Sequence, residues 1–520
     1  MGLLSVSQAS KISDARRELE RNPFDVVVCG DEFPKEGGSG QELLDDLRRS
    51  GLLPYKTVFV LLTNEPTYLK VAEAAESSVD SYLVKPYSVG SLIDRIEQAR
   101  KRKVAMQPIY EALERSLPDA AISLSQQRFE TKGPQWLQAS RLGAEVMLRL
   151  GRFEEAETFF QAIWEVDPKP WAMLGVARAQ LYAGSVQNAQ NTLSNLLNTD
   201  PTYPEAYDVL GRVQMELGNF QASVVQLEKA LQLTPTAIER LQRLGMLSFF
   251  CGDRDRAIEL LERSTYLGLD SKMFDSECLV LLAMVAFAQD NPAQLDRNLS
   301  ELRKRLRLST KDLRLQRFND LVGLLSNVQQ GHMDEAAHLL NAACAQINEP
   351  AFDIEAACNL LFALSWLEKK GAGLLKDATV IDKLGRRFAT SKAMGELLAN
   401  AANVHTAYAD RLKRSQDDII QLIERSIKTA TSGEPSTALK ELFRVAKATL
   451  NAKAVESAWL VFQRYTSDIP EADQWQQQLI QLRETFGTAR NKPTLGDPRL
   501  RQSGGVNLGP MDRLLSTPSA

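Results

Sequence analysis

Small and large apolar positions recur through the middle of this chain with a period near 34 residues. Gly151, Gly184, Gly218 and Gly252 are separated by 33, 34 and 34 residues. Five residues after each stands a small residue (Ala156, Ala189, Ser223, Ala257), and nine after stands a large apolar one (Phe160, Leu193, Leu227, Leu261). Seventeen residues after come Pro168, Pro201, Pro235 and Leu269. Columns in phase at this period predict stacked helix–turn–helix units. The glycine ends helix A of each unit, where a left-handed residue is favoured. The small residue lets helix B approach helix A, the large one fills the gap between them, and the proline stops helix B. One such pair cannot bury its own apolar face, so neighbouring units share a continuous core.

Leu210-Gly211, Gly218, Leu227, Ala230 and Pro235, with Tyr207 in an aromatic slot, resemble the tetratricopeptide repeat family. Ser223 stands where that family usually has alanine, and Leu269 where it usually has proline. The resemblance implies a curved all-α solenoid whose groove binds other proteins; the columns themselves imply the scaffold alone. The array is expected over residues 134–350, after linker or capping helices at 105–133, Tyr110–Leu117 among them. Gly331, Ala336 and Leu340 place a further unit in phase, whereas Phe274–Phe318 is helical but out of phase. Residues 351–486 keep helical spacing, as in Leu360, Leu361, Leu364 and Leu367, without an assignable period. Residues 487–520, rich in Pro, Gly, Ser, Asn and Arg, are expected to be disordered.

Residues 1–104 alternate differently. Asp25–Cys29, Thr57–Thr63 and Ser81–Val84 are apolar runs of strand length among helical stretches at Ser13–Arg21, Gln41–Arg49, Tyr68–Ser77 and Val89–Lys101. Such alternation predicts a parallel sheet covered on both faces. Thr63 at one strand end, Lys85-Pro86 after the next and Tyr82 three residues earlier resemble the receiver domain of bacterial response regulators. The resemblance implies a flavodoxin-like α/β fold and a switch set of Thr63, Tyr82, Lys85 and Pro86 around a phosphorylated aspartate. Counting back from Pro34, the acceptor position falls on Gly30, with Asp31 one residue late. A one-residue shift along an extended chain turns a side chain to the opposite side. No phosphoacceptor is therefore expected. The family's acidic pair for magnesium would lie on a first strand that this chain lacks. In the order 2-1-3-4-5 that strand is interior, between a Leu3–Val6 strand and Asp25–Cys29, and its loss opens a gap of roughly 10 Å. Either the native start lies upstream of Met1, the favoured reading, or the first segment re-pairs.

Composition narrows the function classes. The 520 residues carry a net charge of −4, with 44% hydrophobic and 25% charged, which gives no general bias toward nucleic acid. A basic stretch from Arg297 to Arg317 holds eight Lys/Arg against two acids but no interleaved aromatics, so nucleic-acid binding is not expected there. The five scattered cysteines, none in a CxxC, fit free thiols in a reducing compartment. The longest apolar run, the 11 residues Cys278–Ala288, suits a buried helix and not a membrane span, and no signal sequence opens the chain. A cytoplasmic location without membrane association follows as the expectation. His332, His338 and His405 form no ligand set, and no P-loop, GxGxxG after a strand, or GxSxG occurs. No catalytic residue, metal or cofactor is expected. The sequence points to a two-component signalling adaptor, with a pseudo-receiver regulating a scaffold that binds a partner protein. The alternatives are a constitutive scaffold with a vestigial receiver, or a phosphorylatable regulator with a misplaced start. The oligomeric state and the partner stay open.

Overall fold

The structure is a computed structural model. It describes residues 5–31, 33, 40, 43–44, 47, 53–54, 56–64, 79–235, 237–269, 274–375 and 377–487. Pro34, Leu3, the helix expected at Tyr68–Ser77 and the tail expected to be disordered from 488 onward lie outside the described residues.

The N-terminal part holds a parallel sheet of β1 (Val26–Gly30), β2 (Val58–Thr63) and β3 (Ser81–Val84) in that order. Val26 pairs with Val58, and Thr63 with Val84. β2 is apolar almost throughout because both its faces are covered. Val58 and Val60 pack on Ile96 and Ala99 of α2 (Val89–Glu114). Phe59 and Leu61 face the other way, toward Leu19 of α1 (Ile12–Arg21) and Leu43, Leu44 and Leu47. The strand expected at Leu3–Val6 does not form at Ser5 or Val6; Val6 is 77% exposed. Among the described residues β1 has β2 as its only neighbour, so no second strand stands across the expected gap.

Helix α2 corrects the sequence-based division at residue 104. It is one helix of 26 residues, capped at Ser88 by the Ser91 N–H at 3.0 Å. The basic run Arg100–Lys103 lies in mid-helix and not at its end. Lys103 pairs with Asp80 at 2.6 Å and Arg102 donates to the Asp80 carbonyl at 2.6 Å, which fastens the helix beside β3. Its C-terminal half, through Met106, Ile109, Tyr110 and Leu113, enters the core of the array, so Tyr110–Leu117 is no separate helix. Pro108 lacks an N–H for the carbonyl of Val104, and the helix tolerates that at its solvent side, where Val104 is 67% exposed.

After α3 (Pro118–Thr131) come antiparallel pairs: α4/α5 (Trp136–Arg149, Phe153–Val166), α6/α7 (Pro170–Tyr182, Val186–Thr199), α8/α9 (Pro204–Glu216, Phe220–Leu233) and α10/α11 (Ile238–Cys251, Arg254–Gly268). Gly151, Gly184, Gly218 and Gly252 end the A helices with φ of +76, +85, +80 and +90°, and Gly331 does the same at +80°. No atom lies within 4 Å of a Cβ built on Gly184, so Gly184→Ala isolates the backbone term. It should cost about 1 kcal/mol in urea unfolding. A change near zero contradicts the left-handed requirement.

The out-of-phase stretch is a further pair, α12/α13 (Glu277–Ala288, Pro292–Leu308), followed by α14/α15 (Leu313–Gln330, Met333–Ala345). Asp290, with φ +53°, occupies the turn where the other units place glycine. Aspartate tolerates this conformation, which hid the unit from a glycine count. The last helices are α16 (Ile354–Lys369), α17 (Thr379–Phe388), α18 (Lys392–Ala401), α19 (Thr406–Thr431), α20 (Pro435–Thr449), α21 (Ala452–Arg464) and α22 (Ala472–Phe486). They do not simply extend the stack. α16 packs back on α12 and α14, and α18 touches α10. Phe249 and Phe362 meet at 5.5 Å between ring centroids, and a Cβ on Gly218 would lie 3.6 Å from Ala393. Helix α12, apolar from Cys278 to Ala288, is buried along its length for this reason, with neighbours on every side.

Candidate functional site

Two regions bring polar groups together. The first is the C-terminal edge of the sheet. Asp31 directly follows β1 and is nearly buried; Thr63 Oγ1 donates to its Oδ2 at 3.4 Å. Asp31 thus lies beside Thr63 at the end of β1. β1 ends at Gly30, whose own place in the sheet is opposite Leu62, and beyond the strand the pleat no longer fixes direction. The Asp31 N–H donates to the Leu62 carbonyl at 2.8 Å and its carbonyl accepts from the Gly40 N–H at 3.0 Å. Lys85 donates its N–H to the Thr63 carbonyl at 2.9 Å and precedes a cis bond to Pro86; its side chain is exposed. Tyr82 is partly exposed on β3. Gly30, Asp31, Thr63 and Lys85 are thus adjacent, whereas Tyr82 points outward. Cys29 beside them is pushed up to about 12 by burial and by the Asp31 charge, which leaves an inert thiol. Among the described residues no group of three His, Cys, Asp or Glu that could hold a metal ion comes together.

The second region runs along the A helices. Ala156, Ala189, Ser223, Ala230 and Ala257 are fully buried in the helix contacts. The sequence missed the residues they work with. Gly143, Gly175, Gly211 and Gly245 form a second glycine column inside the A helices. A Cβ on Gly175 would lie 2.4 Å from the Phe160 ring, and one on Gly245 would lie 2.8 Å from Leu261, so the large column sits in notches cut by glycine. Each of the four follows a leucine (Leu142, Leu174, Leu210 and Leu244), but only the Leu210-Gly211 pair figures in the family resemblance.

Buried ion pairs one repeat apart link successive A helices. Arg178 of α6 grips Glu145 of α4 with contacts of 2.7 and 3.1 Å, and Arg149 adds a third at 3.1 Å. Burial alone raises a carboxyl, but the Arg178 and Arg149 charges overcome it and hold Glu145 down to about 2. Arg240 of α10 pairs with Asp208 of α8 at 2.9 Å. At the fold-back, Arg314 of α14 bridges Asp275 at 2.8 Å and Glu355 of α16 at 2.5 Å, and Asn359 donates to Glu277 at 3.0 Å. One guanidinium there binds two carboxylates and lies close enough to a third, Glu277, for its charge to act on it. Burial pushes Glu355 up to about 7 despite Arg314, and burial with the Glu355 charge pushes Glu277 well above its ordinary 4.5.

A folded-state value above the unfolded one gives stability that is present at low pH and lost as pH rises. For Glu355 the loss should run from near 4.5 to about 7. Glu355→Gln should flatten this descending limb in urea midpoints measured from pH 5 to 8; an unaltered slope excludes Glu355 as its source. Glu145 acts in the opposite sense and matters below pH 4.5.

Comparison with known proteins agrees with this geometry. Residues 204–236 match the tetratricopeptide repeat model. Over 102 residues, 20% of the chain, it is 28% identical to chemotaxis protein CheY-3 of Vibrio cholerae and covers 76% of that protein. Over 119 residues it is 28% identical to Superkiller complex protein 3 of Mus musculus, spanning 8% of that protein's length. Among solved structures it resembles a thermophilic tetratricopeptide-repeat protein of Thermus thermophilus (24% identity, 36% of this chain and 99% of that one, TM-score 0.29). It also resembles the APC/C Cut9–Hcn1 hetero-tetramer (16% identity, 78% and 73%, TM-score 0.36). No helix among the described residues is long and apolar enough to cross a membrane. The chain thus contains a tetratricopeptide repeat within a mostly helical solenoid, a scaffold of the kind that binds protein partners, preceded by a small parallel sheet compatible with a receiver fragment.

Proposed function

We propose that the protein is a signalling adaptor in which a receiver-like domain governs how the helical array presents a surface to a partner protein. The observation that carries this is α2. Ile96 and Ala99 belong to the core of the sheet, and Ile109 and Leu113 of the same unbroken helix belong to the core of the array. A displacement at the sheet is therefore delivered to the first repeats without a flexible joint. Because α16–α18 cover part of α10, α12 and α14, the surface left for a partner is that of α4, α6 and α8, where Arg141 stacks on Trp171 and Arg212 on Tyr182. A partner segment with acidic and apolar side chains suits this lining. Comparing proteins captured by the intact chain and by Val104→Pro, which interrupts α2, tests the proposal. Adaptor function requires a changed set of captured proteins; an identical set supports a constitutive scaffold.

A second reading rests on one observation, the contact between Asp31 and Thr63. If Asp31 accepts phosphate, acetyl phosphate with Mg²⁺ labels the chain and Asp31→Asn abolishes the label. The pseudo-receiver reading requires no label in either.

A further inference from the structure

Helix α13 buries Leu295, Asn298, Leu299 and Leu302 and turns its remaining face to solvent. That outer face carries Arg297, Arg303, Lys304 and Arg307, and Lys311 follows in the turn; all five are exposed. Within the helix, positions 297, 300 (a serine), 304 and 307 recur every three or four residues, so Arg297, Lys304 and Arg307 form one line along its axis, with Arg303 beside it. From 297 to 307 the line is about 15 Å long. The neighbouring acids do not neutralise it. Asp296 accepts from Ser326 at 3.1 Å and Asp312 caps α14 at the Arg314 N–H, 3.0 Å away. Glu301 is shared between Lys304 and Arg305 at 3.6 and 3.7 Å. In a chain of net charge −4 this is a strong local excess of positive charge.

Two leucines lie at the end of the same line. Leu308 is 84% exposed and Leu313 is 60% exposed, on the turn between α13 and α14. Apolar side chains so placed gain nothing from water. A row of cations ending in bare leucines offers one partner both electrostatic attraction and apolar burial. The face is a helix ridge and not a groove, so it provides no walls to enclose a peptide. It also carries no aromatic rings on which bases could stack.

We infer that this ridge is a peripheral docking surface for an anionic lipid bilayer: the cations meet headgroup phosphates, and Leu308 and Leu313 enter the acyl boundary. Such attachment lies on the membrane without crossing it. It is independent of the adaptor reading and would fix where the scaffold operates.

Co-flotation with liposomes tests it. The full chain should bind vesicles containing phosphatidylglycerol and not vesicles of phosphatidylcholine alone. Each cation neutralised should weaken binding about five-fold, so Arg303→Gln/Lys304→Gln/Arg307→Gln should lose roughly 100-fold. Leu308→Ser/Leu313→Ser, with all charges kept, should weaken binding about ten-fold or more and leave the salt dependence in place. All five positions are exposed, so circular dichroism of both variants should match the parent. Absence of binding to anionic vesicles, or binding that neither variant weakens, overturns the inference. So does equal binding to polyglutamate or duplex DNA that is indifferent to the leucines, which would make the ridge a general polyanion site.

Discussion

Replacing Arg178 with methionine should destabilise the N-terminal repeats by about 3 kcal/mol or more. Arg178 and Glu145 are both almost completely buried, and the guanidinium supplies two of the three contacts on the carboxylate. Its removal leaves a carboxylate that cannot reach water, with Arg149 as its remaining partner. The desolvation penalty then stands against a fraction of the former attraction. Glu145→Leu combined with Arg178→Met should recover most of the loss, because no charge then remains to be compensated at position 145. Urea midpoints of the two variants, followed by far-ultraviolet circular dichroism, provide the check. If the single variant costs less than about 1 kcal/mol, or the double variant is the worse, the pair does not hold the helices together.

Val104→Pro should cost about 3 kcal/mol within α2 and uncouple the two parts of the chain. The side chain at 104 is exposed, so the substitution acts on the backbone and not on packing. Arg100, Lys101, Arg102 and Lys103 lie just before it, and the last two are held by Asp80. Once the helix opens, this run becomes a trypsin site. Brief digestion should release an N-terminal fragment ending within Arg100–Arg102 from the variant, since the new Lys103–Pro bond is itself resistant, while Val104→Ala is cut no faster than the parent. Equal resistance of the proline variant would show that α2 is not the mechanical link.

What was legible in the sequence followed from local rules. The turn glycines announced themselves because four hairpins need the same left-handed residue. The strands at Val26–Gly30 and Val58–Thr63 were visible as unbroken apolar runs. What escaped had non-local causes. Asp290 fills a glycine slot and lies 38 residues after Gly252, so a whole hairpin was both unmarked and out of phase. The notch glycines recur as Leu-Gly pairs, but their purpose shows only when Ser125 is seen against Gly143, Phe160 against Gly175 and Leu261 against Gly245. The strand pattern reaches only to Gly30, so the contact between Asp31 and Thr63 had no signature in it. Helix α2 was cut short because a basic run and Pro108 both resemble a terminus. The return of α16 onto α12 had no signature beyond the apolar run Cys278–Ala288 in α12, which fits any deeply buried helix.

That return has a consequence for how the chain acquires its structure. A simple stack of repeats contacts only its neighbours and nucleates anywhere. Here Glu277 waits for Asn359, 82 residues later, and the Phe249 ring waits for Phe362, more than a hundred residues on. Such separations raise contact order and slow folding relative to a stack of the same length. During synthesis, the face of α12 that packs on α16 stays uncovered until α16 has followed it. The middle of the chain is therefore the segment that most needs protection from aggregation in a nascent chain.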